Sequence, residues 1–153
     1  MTDITVQSMA GHPEWIEACT VWWHRQWGKN MGYSLDGARM AIDGLTSPGG
    51  RQVALIALVD GVPGGSVFLV DRDLETHTHL SPWLAGLFVL PEFRRMGLGR
   101  RLTEATVTQG AKLGHASIYL YTSIGDYYRR QGWTTREEVM VHGVFHEVMT
   151  YAS

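Results

Sequence analysis

Two glycines flanked by arginines, a few residues after an apolar run, are the part of this sequence whose spacing points most clearly to chemistry. The run Arg94-Arg95-Met96-Gly97-Leu98-Gly99-Arg100 follows the apolar stretch 83–90 and opens a segment with helical spacing. Glycine lets the backbone approach a ligand closely. The first amides of a helix lack intrahelical acceptors and carry the positive end of its dipole. The pattern therefore predicts a phosphate site at a helix start, with arginines adding charge-assisted contacts.

Two other phosphate-binding patterns fit this stretch less well. A dinucleotide fingerprint needs a third glycine where Leu102 stands, and it starts directly after the strand, whereas Pro91 to Phe93 intervene here. A Walker loop needs Gly-Lys-Ser or Gly-Lys-Thr, which this sequence lacks. A basic helix start with glycines used only for packing is the remaining structural interpretation.

The elements that must position this loop alternate between strand and helix. Apolar runs and period-two alternation predict strands, and apolar residues at helical spacing predict helices. Asp60-Gly61 and His142-Gly143 fit tight turns, and Pro13 fits the first turn of a helix. The predicted order is βααβββαβαββ. Strands are expected at 2–7, 53–59, 66–71, 83–90, 117–122, 134–140 and 144–151, helices at 12–27, 34–45, 97–113 and 127–131, and a loop at 72–82.

Composition narrows the class of protein. The chain has 153 residues, a hydrophobic share of 44% and a formal net charge of −2, which predicts one globular domain over 1–153. A nucleic-acid or anionic-membrane surface would need a strong positive field, so neither partner is expected. No apolar run reaches the length of a bilayer span, no secretory signal is visible, and Cys19 is the only cysteine. A cytoplasmic protein is the expectation.

Three motifs together resemble the GNAT superfamily of N-acetyltransferases. Arg94, Gly97 and Gly99 are similar to its acetyl-CoA loop, and Val89-Leu90-Pro91-Glu92 is similar to the end of its preceding strand. The stretch from Tyr127 to Trp133 resembles its Phe-Tyr-x-x-x-Gly-Phe segment, with Trp133 in place of phenylalanine. The resemblance implies an α/β GNAT fold, a central mixed, mostly antiparallel twisted sheet flanked by helices, with a V-shaped splay between the fourth and fifth strands.

The resemblance also implies a reaction and a cofactor site. The expected activity is direct transfer of an acetyl group from acetyl-CoA (coenzyme A) to a primary amine; the alternative is a non-catalytic acetyl-CoA-binding sensor or interaction domain. Main-chain groups of Leu87 and Val89 are implied to bond the pantetheine arm and polarise the thioester. For the Arg94 side chain, the alternative to binding the cofactor is a structural role. The implied cofactor-binding residues are Leu87, Phe88, Val89, Arg94, Arg95, Met96, Gly97, Leu98, Gly99 and Arg100.

For proton transfer, the resemblance implies a role for one tyrosine and leaves the base open. Tyr128 matches the general-acid position of the family and is expected to assist the leaving thiolate; packing alone is its other interpretation. Trp83 stands where some members carry a glutamate base, and it cannot act as one. Ser81, His79, Glu75 and Asp71 remain alternatives, as does an amine that needs no base.

Six tryptophans are many for this length, and four of them, Trp15, Trp22, Trp23 and Trp27, lie in one segment. An aromatic stripe at helical spacing usually packs in a core, but the first helices of the resembled family border the acceptor. Trp22, Trp23, Trp27 and Trp83 are therefore predicted acceptor-binding residues, with a core role as the alternative. The acceptor is expected to be a small-molecule or peptide amine, and the chain a monomer or homodimer.

Two remaining side-chain patterns favour structural interpretations. His77-Thr78-His79 places two histidines in a polar segment without a cysteine or a fixed carboxylate spacing, so a solvated loop is expected and no metal is predicted. Cys19 lies on the aromatic side of the first predicted helix, which indicates burial rather than nucleophilic chemistry.

Overall fold

A computed structural model describes residues 1–152 as a seven-stranded sheet with the strand order β1-β2-β3-β4-β5-β7-β6. The order of helices and strands along the chain confirms the prediction, and short turns of 3-10 or π type lie between them. The strands are β1 (Ile4–Ser8), β2 (Val53–Val59), β3 (Val62–Val70), β4 (Trp83–Val89), β5 (Ser117–Thr122), β6 (Thr134–Val141) and β7 (Val144–Ala152). The helices are α1 (Pro13–Trp23), α2 (Leu35–Gly44), α3 (Leu98–Lys112) and α4 (Gly125–Arg129).

The two predicted tight turns form as expected, because their residues adopt left-handed backbone conformations. Asp60 and Gly61 have φ of 49° and 82°, and His142 and Gly143 have φ of 49° and 76°. Strand β3 begins at Val62, earlier than the predicted residue 66, because a bulge between Leu58 and Ala57 absorbs one extra residue of the Pro63-Gly64-Gly65 run. Proline and glycine are compatible with a strand at such a bulge.

The sheet splits between β4 and β5, its one pair of parallel neighbours. The two strands share a single register pair, Trp83 with Tyr119, while every other neighbouring pair is antiparallel. Beyond Trp83 the strands separate, so residues 85–89 of β4 have β3 on one side and an open edge on the other. This is the predicted V-shaped splay.

Apolar side chains cover both faces of the sheet. Helix α3 packs on one face through Leu98 and Leu102, and α1 and α2 pack on the other through Ile16, Trp22 and Ile42. A third cluster lies on the α1 side, where Leu74 and Leu80 pack with Trp83 and Val148. Among residues 1–152, no helix combines the length and apolarity needed to cross a membrane.

Segment 72–82 is a loop with one 3-10 turn, but the prediction that His77-Thr78-His79 is solvated was wrong for its inner face. Leu74, His77 and Leu80 are buried, and a 3-10 turn over Glu75–His77 brings His77 against Glu137 of β6. The Thr76 hydroxyl lies 2.8 Å from His77 Nδ1. The local sequence does not predict this packing, because the loop covers sheet residues that are distant along the chain.

Candidate active site

The glycine loop places a row of unpaired amides at the start of α3. Gly97 is the N-cap with φ of 80°, no side chain caps the helix, and Arg95 has φ of 65°. Within residues 1–152, the main-chain N–H groups of positions 95–100 donate no hydrogen bond. The left-handed conformations of Arg95 and Gly97 turn the chain so that these amides line a concave surface, as in anion-binding turns. The residues present therefore fit a pyrophosphate.

The three arginines of this loop have different surroundings. Arg94 Nε donates to the Val89 carbonyl at 3.1 Å, and its guanidinium lies 5.8 Å from the Phe88 ring centroid. Arg100 Nε donates to Glu104 at 3.0 Å. The exposed Arg95 side chain has no hydrogen bond or ion pair with any described residue. Arg94 thus braces β4, and Arg95 is the arginine best placed to reach a ligand.

Met96 and Leu98 direct their side chains inwards. Leu98 is buried, and Met96 packs against the core on the α3 face. Any contact they make with a ligand in the loop must therefore come from their main-chain amides. Gly99 lies at the inner end of the loop, where an added methyl group would lie 2.5 Å from the Tyr127 hydroxyl.

Strand β4 offers main-chain groups to the open side of the splay. Leu90 N–H donates to Gly64 at 2.9 Å, and Phe88 lies opposite Ser66, so both face β3. Because hydrogen-bonding direction alternates along a strand, the amides of Leu87 and Val89 face the opening. The Val89 carbonyl is already engaged by Arg94. Leu87 and Val89 can thus donate to an extended ligand lying in the splay.

A bulge at Gly86 and Leu87 sets the direction of those groups. Phe68 pairs with Ala85 and Ser66 with Phe88, so two residues of β4 lie opposite the single residue Val67. Gly86 has φ of 63°, and a methyl group on it would lie 2.6 Å from the Phe68 ring. A left-handed glycine against a ring allows this bulge, which other residues would strain.

Tyr128 lies in the core cluster against which Leu87 and Val89 of β4 pack, and its neighbour Tyr127 reaches the glycine loop. The Tyr128 ring packs 6.0 Å from the Trp133 ring and 5.0 Å from the Tyr127 ring. Burial, with a smaller contribution from Tyr127, raises the pKa of Tyr128, so its phenol stays protonated. Tyr127 was not predicted as a site residue, although its place before Tyr128 and its aromatic character were visible.

The four tryptophans predicted to contact the acceptor differ in burial. Trp83 is fully buried and donates to the Leu80 carbonyl at 2.8 Å. Trp22 is buried and donates to Ser66. Trp23 and Trp27 are partly exposed, and the Trp27 ring meets Phe88 edge-on at 6.1 Å. Only Trp23 and Trp27 therefore have ring surface open to a ligand.

A second group of polar side chains lies on the α1 side of the splay. Tyr121 packs 6.3 Å from Trp83 and 5.6 Å from His146. Burial and the charge of Asp73 raise the pKa of Tyr121, which places the Asp73 carboxylate near this face. Asp73 itself is exposed to water, yet surrounding protein raises its pKa to about 6. Sequence reasoning named the carboxylates on either side of Asp73 and missed this one.

The two structural interpretations have different outcomes. Cys19 is buried, and burial raises the pKa of its thiol to about 12, so its predicted place in the core is confirmed and the thiolate is disfavoured. His77 is buried rather than solvated, and its ring stacks 5.6 Å from His79. Over the described part of the chain, no cluster of three or more histidine, cysteine or carboxylate side chains could hold a metal ion.

Comparison with known proteins gives one family and many structural neighbours. The model of the acetyltransferase (GNAT) domain matches residues 50–135, which is more than half of the chain. No curated protein matches the sequence.

Solved structures share the fold at low sequence identity. An aminoglycoside 6'-N-acetyltransferase complexed with coenzyme A is 13% identical, with a TM-score of 0.77 over 97% of this chain and 96% of its own. A Salmonella typhimurium protein solved with its cofactor acetyl-CoA is 15% identical, with a TM-score of 0.76 over 98% and 94%. An acyl-CoA N-acyltransferase from Pseudomonas aeruginosa is 21% identical, with a TM-score of 0.68 over 99% and 100%.

Proposed function

The chain belongs to the GNAT family of acetyltransferases, whose acetyl donor is acetyl-CoA, and from this premise we propose that it acetylates a primary amine by direct transfer. The observation that carries the proposal is the row of undonated amides at positions 95–100, next to the open edge of β4. An anion bound by these amides and an extended arm lying along the open edge of β4 would contact one continuous surface. When bound, acetyl-CoA supplies the thioester at the end of that arm.

We assign the chain's own groups as follows. The amides of positions 95–100 hold the pyrophosphate, with the Arg95 side chain adding charge. The Leu87 and Val89 amides bond the arm, and one of them donates to the thioester carbonyl oxygen, where negative charge develops. Tyr128, kept protonated by burial, donates a hydrogen bond to the departing sulfur.

We assign Asp73 as the base. Its charge contributes to the raised pKa of Tyr121, whose ring lies 6.3 Å from Trp83 at the closed end of the V. A carboxylate there can accept the proton of an acceptor ammonium and leave a neutral amine to attack. The acceptor, a small-molecule or peptide amine, would pass between this group and the open ring surfaces of Trp23 and Trp27, while Trp22 and Trp83 support the wall from within.

The function is tested by thiol release. Purified protein with acetyl-CoA is expected to release free coenzyme A faster when an acceptor from a panel of primary amines is added, with one N-acetylated product per thiol. The N-acetylated form of each amine is the matched control and should give only the background rate. Tight binding of coenzyme A by calorimetry with no amine-stimulated release would overturn the enzyme and favour the sensor.

Replacing Asp73 with asparagine is expected to lower kcat/KM by about a hundredfold, the usual range for loss of a general base. Because a base works only when deprotonated, the wild-type rate should rise with pH through about 6 and level off above it. In Asp73→Asn that acidic limb should disappear. A pH profile of kcat/KM for both proteins measures this, with Glu75→Gln as a control on the same loop.

Thermal stability separates this effect from unfolding. The pKa of Asp73 in the folded chain, about 6, lies above the usual aspartate value of about 3.9, so the native state binds more protons between these pH values. Its ionisation therefore opposes folding, and this cost is fully present above pH ~6. Asp73→Asn should consequently melt no lower than wild type at pH 7. An unchanged acidic limb in Asp73→Asn would exclude it as the base.

A further inference from the structure

Buried polar contacts connect helix α1 to the bulge of β4. The Trp22 indole N–H donates to the Ser66 hydroxyl at 2.9 Å, and that hydroxyl donates to the Gly86 carbonyl at 3.3 Å. Ser66 is fully buried and Trp22 nearly so. The Ser66 hydroxyl thus accepts from the Trp22 indole and donates to the Gly86 carbonyl, so the two hydrogen bonds connect α1 to the main chain of the cleft.

The position of Gly86 decides where the next amide points. Gly86 is the left-handed residue of the bulge, and Leu87 follows it with its main chain facing the splay. At this bulge β4 carries one residue more than β3, and the buried Ser66 side chain of β3 donates to the Gly86 carbonyl. The Phe68 ring closes the other side of Gly86.

We propose that Ser66 is a positioning residue, which fixes the β4 bulge so that the Leu87 amide meets the thioester carbonyl and which links that geometry to α1. The inference rests on the proposed function. Hydrogen-bond donors that stabilise developing charge are effective only when held in place before the reaction. If the bulge could relax, the cofactor would keep its contacts elsewhere in the site. The Leu87 amide, however, would no longer point at the thioester carbonyl.

Ser66→Ala is expected to lower kcat by about ten- to a hundredfold, the scale of a small misplacement of reacting groups, with KM for acetyl-CoA within about twofold. Trp22→Phe, which keeps a ring against Phe88 but removes the indole donor, should lower kcat in the same sense. In the double variant the losses should not multiply, because both act through the same pair of hydrogen bonds. Steady-state kinetics and calorimetry with coenzyme A measure these values.

Thr20→Val is the matched control, because Thr20 is a buried hydroxyl on the same helix that donates only to Ile16 within α1, at 2.7 Å. It should change melting temperature without a selective loss of kcat. Ser66→Ala with wild-type kcat, or with kcat and coenzyme A affinity lost together, would overturn the positioning role. Wild-type protein that binds coenzyme A and releases no thiol would instead overturn the proposed function and this inference with it.

Discussion

Replacing Tyr128 with phenylalanine is expected to lower kcat by about a hundredfold or more, while KM for acetyl-CoA changes little, as for the loss of an acid that acts only on the leaving group. Burial raises the pKa of this phenol above its usual value, so it stays protonated near neutral pH. In the proposed mechanism it therefore acts as a hydrogen-bond donor to the sulfur and does not titrate in the pH profile. Thiol-release kinetics at saturating amine measure the effect.

The variant separates chemistry from packing because the ring stays. Contacts of Tyr128 with Trp133 and Tyr127 are made by its ring, and its hydroxyl donates to no described residue. Tyr128→Phe should thus melt close to wild type. Tyr127→Phe is the matched control one residue away, expected to keep kcat. Turnover of Tyr128→Phe equal to wild type across the pH range would exclude the acid.

Local sequence signals were sufficient for most of the fold. Asp60-Gly61 and His142-Gly143 fixed both hairpins, since left-handed turns need such residues and neighbouring strands must then pair. The glycine loop could also be predicted as an anion site from the sequence, because the first amides of a helix lack intrahelical acceptors in any surroundings. The family resemblance supplied the splay, which composition and periodicity do not encode.

What the sequence concealed depends on contacts between distant residues. Ser66 is one small residue of a strand in the sequence, and its contacts with Trp22 and Gly86 are seen only in the folded chain. Asp73 is one of several acidic residues in segment 72–82, distinguished by its proximity to Tyr121 on β5. His77 likewise reads as a surface histidine until Glu137 is placed beside it.

Burial also divided the tryptophans in a way that helical spacing alone does not predict. Trp22 and Trp23 are adjacent on α1, yet one is buried against Ser66 and the other remains partly open beside Tyr33. Trp27 follows in a π-type turn, His24–Gly28, which shifts its angle relative to a regular helix and sets it against Phe88. The extra residue in that turn is not visible in the periodicity.

Replacing Gly99 with alanine is expected to weaken coenzyme A binding by ten- to a hundredfold, or about 1.4 to 2.7 kcal/mol. The added methyl group would lie 2.5 Å from the Tyr127 hydroxyl, closer than any real contact, so the tyrosine or the helix start must move. Either movement would disturb the amides that we propose hold the pyrophosphate. Isothermal titration calorimetry with coenzyme A measures the change.

Gly110→Ala supplies the matched control, because it makes the same substitution in the same helix against a similarly close neighbour. Its methyl group would lie 2.9 Å from Ile118 Cγ2, and Gly110 lies far along α3 from the loop. It should leave coenzyme A affinity unchanged. Combining Gly99→Ala with Tyr127→Phe removes the hydroxyl in conflict and should restore much of the affinity. Wild-type affinity in Gly99→Ala would mean that the ligand does not depend on this helix start, and the cofactor site would have to lie elsewhere.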